Sequence, residues 1–224
     1  YGVNWNKKRI PLLNGLDYKS YLSEVALNYF KTEGDMYSSF PFLQPGGSLQ
    51  DYLYNHDTDW QDVLYRNSFV TDNLFRVKGG DAIAKYDLSL GYTVENGIME
   101  NTKSERYHTQ FNTNVFVNKN IEFFATVGLA YLNGDYQEQG MSEQTNPMLA
   151  AFKQAPILSP YAQDVDGNIL SIYSNYFYGK NENMDFATSN PLAILKTLDA
   201  RNRQYDVNIR AGLNFTLTPD LTLN

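Results

Sequence analysis

The sequence has no cysteine, so disulfide frameworks, cysteine-ligated zinc, iron–sulfur clusters and thiol nucleophiles are all excluded. Histidine is almost missing as well: His56 and His108 are the only two, with no spacing that suggests a metal pair. Basic residues are in deficit, with 18 Lys and Arg against 25 Asp and Glu and a formal charge of −7. No basic stripe is left to neutralise nucleic-acid phosphates, so no nucleic-acid partner is expected. No apolar run reaches the roughly 18 to 20 residues that a membrane-crossing helix needs. Nucleophile elbow, phosphate loop and zinc-binding helix motifs are all absent, and no catalytic residue, cofactor or metal is expected. The lack of cysteine by itself does not fix the compartment.

What the chain does have is aromatic: 18 Tyr and 13 Phe among 224 residues, within an apolar fraction of 42%. That length suits one or two domains, or a piece of one large domain. From Phe69 to Asn133 the residues alternate with period 2, which puts successive side chains on opposite faces of a strand. Tyr86, Leu88, Leu90, Tyr92 and Val94 form one face, backed by Lys85, Asp87, Ser89, Gly91 and Thr93. Tyr107, Thr109, Phe111, Thr113, Val115 and Val117 are backed by His108, Gln110, Asn112, Asn114 and Phe116. Ile121, Phe123, Ala125, Val127, Leu129 and Tyr131 alternate with Glu122, Phe124, Thr126, Gly128, Ala130 and Leu132. The pattern returns downstream as Tyr205, Val207, Ile209, Ala211, Leu213, Phe215 and Leu217 against Gln204, Asp206, Asn208, Arg210, Gly212, Asn214 and Thr216.

Connections between these strands are short at one end, as at Gly79-Gly80-Asp81-Ala82, Asn118-Lys119-Asn120 and Thr218-Pro219-Asp220. At the other end they are longer: Asn96 to Lys103, then about 70 residues from Gly134 to Asn202. Alternating short and long connections, with apolar faces ending in aromatics, fit an all-β, transmembrane, antiparallel up-and-down β-barrel segment whose long extracellular loops contain short helices. A soluble β-sandwich, including a carbohydrate-binding module, also alternates. The strand length and the absence of charge from the apolar faces favour the barrel.

Two helices are expected in the loops. Asn14 can cap one, with Tyr18, Tyr21, Leu22, Val25 and Tyr29 as its stripe, and Pro147 can open a second running to Gln154. Gly34 to Gly47 and Asn168 to Asn190 read as exposed loops. Asp164-Val165-Asp166-Gly167 is a plain turn, because a calcium loop would need glutamate where Asn175 stands. Both ends lie within alternating pattern, Tyr1-Val3-Trp5 and Leu221-Leu223, as expected of an excerpt from something longer.

Certain strings carry a family likeness. Thr58-Asp59-Trp60-Gln61-Asp62, Gly79-Gly80 before Lys85-Tyr86, Ser89-Leu90-Gly91-Tyr92, Asn96-Gly97-Ile98 and Arg106-Tyr107, with Leu12-Leu13-Asn14, Asp17-Tyr18, Pro156 and Asp164 to Asn168 outside them, resemble the SusC/RagA family of TonB-dependent outer-membrane transporters. The resemblance implies the N-terminal part of the β-barrel, about six strands of a larger one of about 22, without plug or TonB box. On that scheme residues 1–6 end strand 1, 7–69 form an extracellular loop with a helix at about 15–31, and 70–133 hold four strands. Residues 134–202 are a long extracellular loop, and 203–224 hold a strand, a periplasmic turn and the start of the next strand.

The activity so implied is TonB-energised uptake of oligosaccharides or peptides across the outer membrane of a Gram-negative, Bacteroidota-like cell. The implied partners are a SusD-like surface lipoprotein, TonB through a segment outside this sequence, outer-membrane lipid and the transported substrate. The alternative is a SusC-like barrel acting as a structural or assembly component of a larger complex. Candidate lumen-facing contacts to substrate or plug are Asp87, Gln110, Asn112, Asn114, Glu122, Asp206, Asn208, Arg210 and Asn214, since amides and carboxylates suit both sugars and a polar lumen. Candidate loop contacts to ligand or partner are Tyr173, Tyr176, Phe177 and Tyr178, as aromatic platforms.

Overall fold

A computed structural model describes residues 1–4, 9–47, 51–174, 189–218 and 221–223. Its main element is one seven-stranded antiparallel sheet in which neighbours in sequence are neighbours in space. The order is β1 (Gly2–Asn4), β2 (Ser68–Gly80), β3 (Ala84–Asn96), β4 (Lys103–Asn118), β5 (Ile121–Tyr136), β8 (Ala200–Thr218) and β9 (Leu221–Leu223). A small hairpin, β6 (Tyr161–Gln163) and β7 (Ile169–Tyr173), stands apart from it. The up-and-down order holds throughout, and the sheet does not close on itself within these residues.

Turn chemistry fixes the short end. Gly80 has φ 146°, closed to a residue with a side chain, and Asp81 Oδ1 accepts from the amides of Ile83 (2.7 Å) and Ala84 (2.9 Å). At the next turn Asn118 Oδ1 accepts from the Asn120 amide at 2.8 Å.

Register converts the alternation into rungs, because residues paired across antiparallel strands share a face. One rung is Asn73, Tyr92, Tyr107, Tyr131 and Tyr205. Below it lie Phe75-Leu90-Thr109-Leu129-Val207 and Val77-Leu88-Phe111-Val127-Ile209. Gly79-Tyr86-Thr113-Ala125-Ala211 follow, then Ala84-Val115-Phe123-Leu213, and last Ile121 with Phe215. The tyrosines of the first rung touch in sequence, with ring centroids 4.6, 6.2 and 4.8 Å apart. From that rung to Ile121 and Phe215 is about ten residue steps, roughly 33 Å along a strand and roughly 24 Å after a tilt of about 45°.

Neither sheet face contributes to a hydrophobic core. Tyr205 (73% exposed) and Ile209 (69%) stand open on the apolar face. The buried cluster lies instead in the loops, at Trp60, Leu64, Ala151, Ala155, Ile157, Leu158, Leu192 and Leu195. It is built by α3 (Trp60–Leu64), α4 (Pro147–Lys153) and α5 (Pro191–Thr197), and α4 and α5 each begin with proline behind an asparagine cap. A satellite cluster of Ala26, Met36 and Phe40 joins α1 (Gly15–Phe30) to α2 (Glu33–Ser39).

Several expectations change here. The residues 34–47 are not simply an exposed loop: Thr32 caps α2, and a 3₁₀ turn follows at Pro41–Leu43, because Met36 and Phe40 have an apolar partner in α1. The stretch from Asn168 likewise contains β7 rather than only loop. In α1 Leu22 and Ala26 are buried and Tyr18 packs on the loop core, whereas Tyr21, Val25 and Tyr29 are exposed, so only part of the expected stripe faces inward. The strand ends also move: β5 continues to Tyr136 and β8 begins at Ala200, inside the stretch read as loop.

Candidate functional site

The polar sheet face comes from side chains that alternate with the apolar rungs. Its rungs are Leu74-Gly91-His108-Ala130-Asp206, Arg76-Ser89-Gln110-Gly128-Asn208 and Lys78-Asp87-Asn112-Thr126-Arg210. Lys85-Asn114-Phe124-Gly212 and Phe116-Glu122-Asn214 complete it. All nine sheet residues proposed from sequence therefore share one face. The structure brings some of them together. Glu122 Oε1 accepts from Asn114 Nδ2 at 2.5 Å and Oε2 from Asn214 Nδ2 at 3.1 Å. Gln110 Nε2 donates to Asn112 Oδ1 at 3.3 Å. Asp206 is met by Gln204 Nε2 at 3.0 Å, and Arg210 lies 5.7 Å from the Phe124 ring centroid.

Two participants are missing from the sequence reading. Arg76 grips Asp87 through two nitrogens, Nε at 2.8 Å and Nη2, while Lys78 Nζ stands 3.6 Å away. The signal was present, since Arg76 and Lys78 alternate with Phe75 and Val77. Pairing with Asp87 required the register. His108 packs its imidazole over Gly91, where any side chain would collide with the ring.

The loop layer at the long-connection end is tied down by the Thr58–Asp62 string. Thr58 reaches Pro156 O through its amide (2.8 Å) and Leu158 O through its hydroxyl (2.7 Å). Asp59 caps α3 and receives Arg9 at 2.6 Å, and Asp62 takes the other Arg9 nitrogen at 2.5 Å. Trp60 Nε1 donates to Ala155 O at 3.0 Å. Buried Gln61 bonds Ile10 in both directions, accepting at 3.0 Å and donating at 2.7 Å. Beside this lattice lies a cavity of about 540 Å³ lined by Leu12, Leu13, Tyr18, Trp60, Phe152 and Pro156 among others. Burial pushes the Tyr18 phenol above its ordinary range.

The loop aromatics divide. Tyr173 pairs with Tyr161 across the hairpin, rings stacked at 6.0 Å, and Tyr176, Phe177 and Tyr178 lie outside the described residues. Asp164 closes that hairpin by accepting from Asn168 Nδ2 (2.9 Å) and from the amides of Asn168 (2.8 Å) and Asp166 (3.0 Å), with Gly167 at φ 82°. These bonds, the Asn168 side chain first, hold its carboxyl below the usual range. His56 Nε2 stands 3.1 Å from both Tyr52 O and Gln163 Oε1, as a structural tie. Among the described residues no three metal-ligating side chains gather.

Comparison with known proteins decides what kind of wall this is. Over 214 residues the chain is 26% identical to the TonB-dependent receptor SusC of Bacteroides thetaiotaomicron, an alignment covering 90% of this chain and 21% of that protein. In sequence the chain resembles SusC-type TonB-dependent receptors. It is also 28% identical over 116 residues to the TonB-dependent receptor P3 of Formosa agariphila, covering 48% of this chain and 11% of that protein. In structure it matches a chain of the RagAB peptide transporter with a TM-score of 0.65 at 16% identity, over 94% of this chain and 24% of the other. A chain of the RagAB peptide importer in its closed-closed state gives 0.53 at 19% identity, over 75% and 18%.

No protein-family model matches the chain. The chain spans about a fifth of the length of the SusC relative. Its relatives are receptors and transporters, not enzymes. The open sheet is accordingly a segment of an up-and-down barrel wall, and both faces are bare because one barrel wall has no second sheet to pack on.

Proposed function

We propose that this chain is part of the wall and outer loops of an outer-membrane importer that takes up oligosaccharides or peptides, energised through TonB and lidded by a SusD-like surface lipoprotein. The observation that carries the membrane reading is the apolar band: six rungs without a charge, bounded by the tyrosine row Tyr92-Tyr107-Tyr131-Tyr205, spanning roughly the 25 Å of a barrel's lipid-facing belt. Immediately beyond the tyrosines the same face turns polar, with Lys103, Glu105, Asp135, Arg201 and Arg203, as a water interface requires. The opposite face then lines the lumen, and the helical loop layer lies outside the cell.

In the lumen, Asp87 and Glu122 already have their partners within the wall. A carboxylate so satisfied has little to offer a passing solute. We therefore read this face as contacting water or a plug domain, and the loop layer as the part that meets substrate or lid. The same satisfied carboxylates favour, as second reading, a barrel with a structural role in a larger surface complex. Deleting the gene for the full-length protein separates the two. An importer's loss removes growth on particular oligosaccharides or peptides while growth on their monomers persists. Unchanged growth on every complex nutrient would sink the importer reading.

A further inference from the structure

Just beyond the tyrosine row, on the same outward face, lies a groove of about 390 Å³. Its wall comes from three separate places: Arg66 before β2, Lys103 and Arg201 at the ends of β4 and β8, and Lys196 of α5. Asp135 and Asp199 are the carboxylates in that lining. In a chain of net charge −7, these four cations and Arg203 on the adjoining rung stand against Asp135, Asp199 and the flanking Glu100 and Glu105, so the acidic excess of the chain is offset in this groove. Register places it with respect to the band: Lys103 pairs with Asp135 and Asp135 with Arg201, two rungs above Tyr107, Tyr131 and Tyr205, with Arg203 on the rung between.

We propose that this rim groove binds the phosphate of a glycolipid headgroup in the outer leaflet. The inference rests on reading the apolar face as the lipid face, which sets the groove at headgroup height on the side where lipid stands. Arg66 is the fixed element: its amide donates to Ile98 O at 2.7 Å and its Nε reaches Gly97 O at 3.5 Å. Its two terminal nitrogens have no partner among the described residues and form the planar fork that matches a phosphate.

The other cations are held in exposed pairs: Lys103 to Glu105 (2.6 Å), Lys196 to Glu100 (2.6 Å), and Arg201 to Asp135 (3.1 Å) and Asp199 (3.7 Å). Such pairs are weak in water and can be shared with an incoming anion. The scaffold behind them is fixed, because Asn101 Nδ2 (3.0 Å) and Gln137 Nε2 (3.3 Å) both donate to Leu195 O, pinning α5 to the barrel rim. Tyr107 and Tyr131 below supply an aromatic ledge for the acyl-chain boundary.

The test uses the full-length protein in neutral detergent, with heat-modifiable gel mobility scoring the folded barrel in the same sample. Native mass spectrometry follows binding of monophosphoryl lipid A, the same lipid with its phosphate removed, and inorganic phosphate. The phosphorylated lipid should be retained about tenfold better than the dephosphorylated one, and inorganic phosphate should not displace it. The double variant Arg66→Gln/Arg201→Gln should lose that preference. Arg9→Gln, in the loop layer away from the groove, should keep it. If the double variant fails to fold, Arg66→Gln alone, which breaks no ion pair, gives the same reading with a smaller loss. A preference retained in either variant, or equal binding of the two lipids, overturns the inference, and displacement by inorganic phosphate overturns the lipid as its source. A sample with no heat-modifiable mobility brings down the barrel reading itself.

Discussion

Leu88 sits on the Val77-Leu88-Phe111-Val127-Ile209 rung, the third below the loop end of a six-rung band. With rungs about two residues apart on strands tilted by about 45°, that rung lies roughly 10 Å below the tyrosines in a belt roughly 24 Å tall, close to its mid-height. Leu88→Arg therefore places a guanidinium where lipid-facing Arg costs about 2–4 kcal/mol, a 30-fold to nearly thousandfold drop in the folding constant. Gln110 is one register step away, paired with Ser89 at similar depth but on the other face. Gln110→Arg should cost no more than an ordinary surface change, within about 0.5 kcal/mol. A Tyr92→Arg change at the band's edge should fall to about 0–1 kcal/mol from the charge, apart from the lost ring contact with Tyr107. The assay is reversible folding of the full-length protein into phospholipid vesicles across a urea series, read by tryptophan fluorescence and gel mobility. Equal penalties for Leu88→Arg and Gln110→Arg would refute the face assignment, since nothing but the side of the sheet separates the two sites.

The loop layer gives local predictions that should leave the barrel's gel mobility untouched. Trp60→Ala removes a side chain that is 2% exposed together with its bond to Ala155 O, and should cost the loop core about 3–5 kcal/mol, seen as faster proteolysis of the 134–202 segment. Asn190→Ala uncaps α5 and strips a donor from Pro160 O (2.8 Å) and Ser174 O (3.1 Å), for about 1–3 kcal/mol by hydrogen exchange in α5. Asp164 carries the pH dependence of the β6–β7 hairpin. With its carboxyl held below the ordinary 3.8, the turn's contribution is fully present above that value and fades as pH falls through the lower folded one. A titration of the Asn168 amide by NMR should give a midpoint under 3.8, and Asp164→Asn should abolish it.

How far the sequence speaks depends on the range of each interaction. Alternation is a one-residue rule, so the two faces of β3, β4, β5 and β8, and with them the nine polar candidates, were readable directly. Caps reach two or three residues, and Asn14, whose side chain accepts from the Asp17 amide at 2.8 Å, was readable as the start of α1. A family likeness marked Thr58 to Asp62 as special without saying why. What those residues do involves partners some 50 to 100 positions away, such as Ile10, Ala155 and Leu158, which no local pattern encodes.

The same division explains α3 and α5. Five and seven residues are too short to be stable helices alone, and they exist because Trp60, Leu64, Leu192 and Leu195 bury one another. Sequence by itself therefore determined the long strands of the sheet apart from their ends, their two faces and the short turns that join them. Tertiary structure alone decided the rungs, the grip of Arg76 on Asp87, the loop core and the groove at the rim. Each of those rests on strand register or on contacts between distant segments, which a linear pattern does not carry.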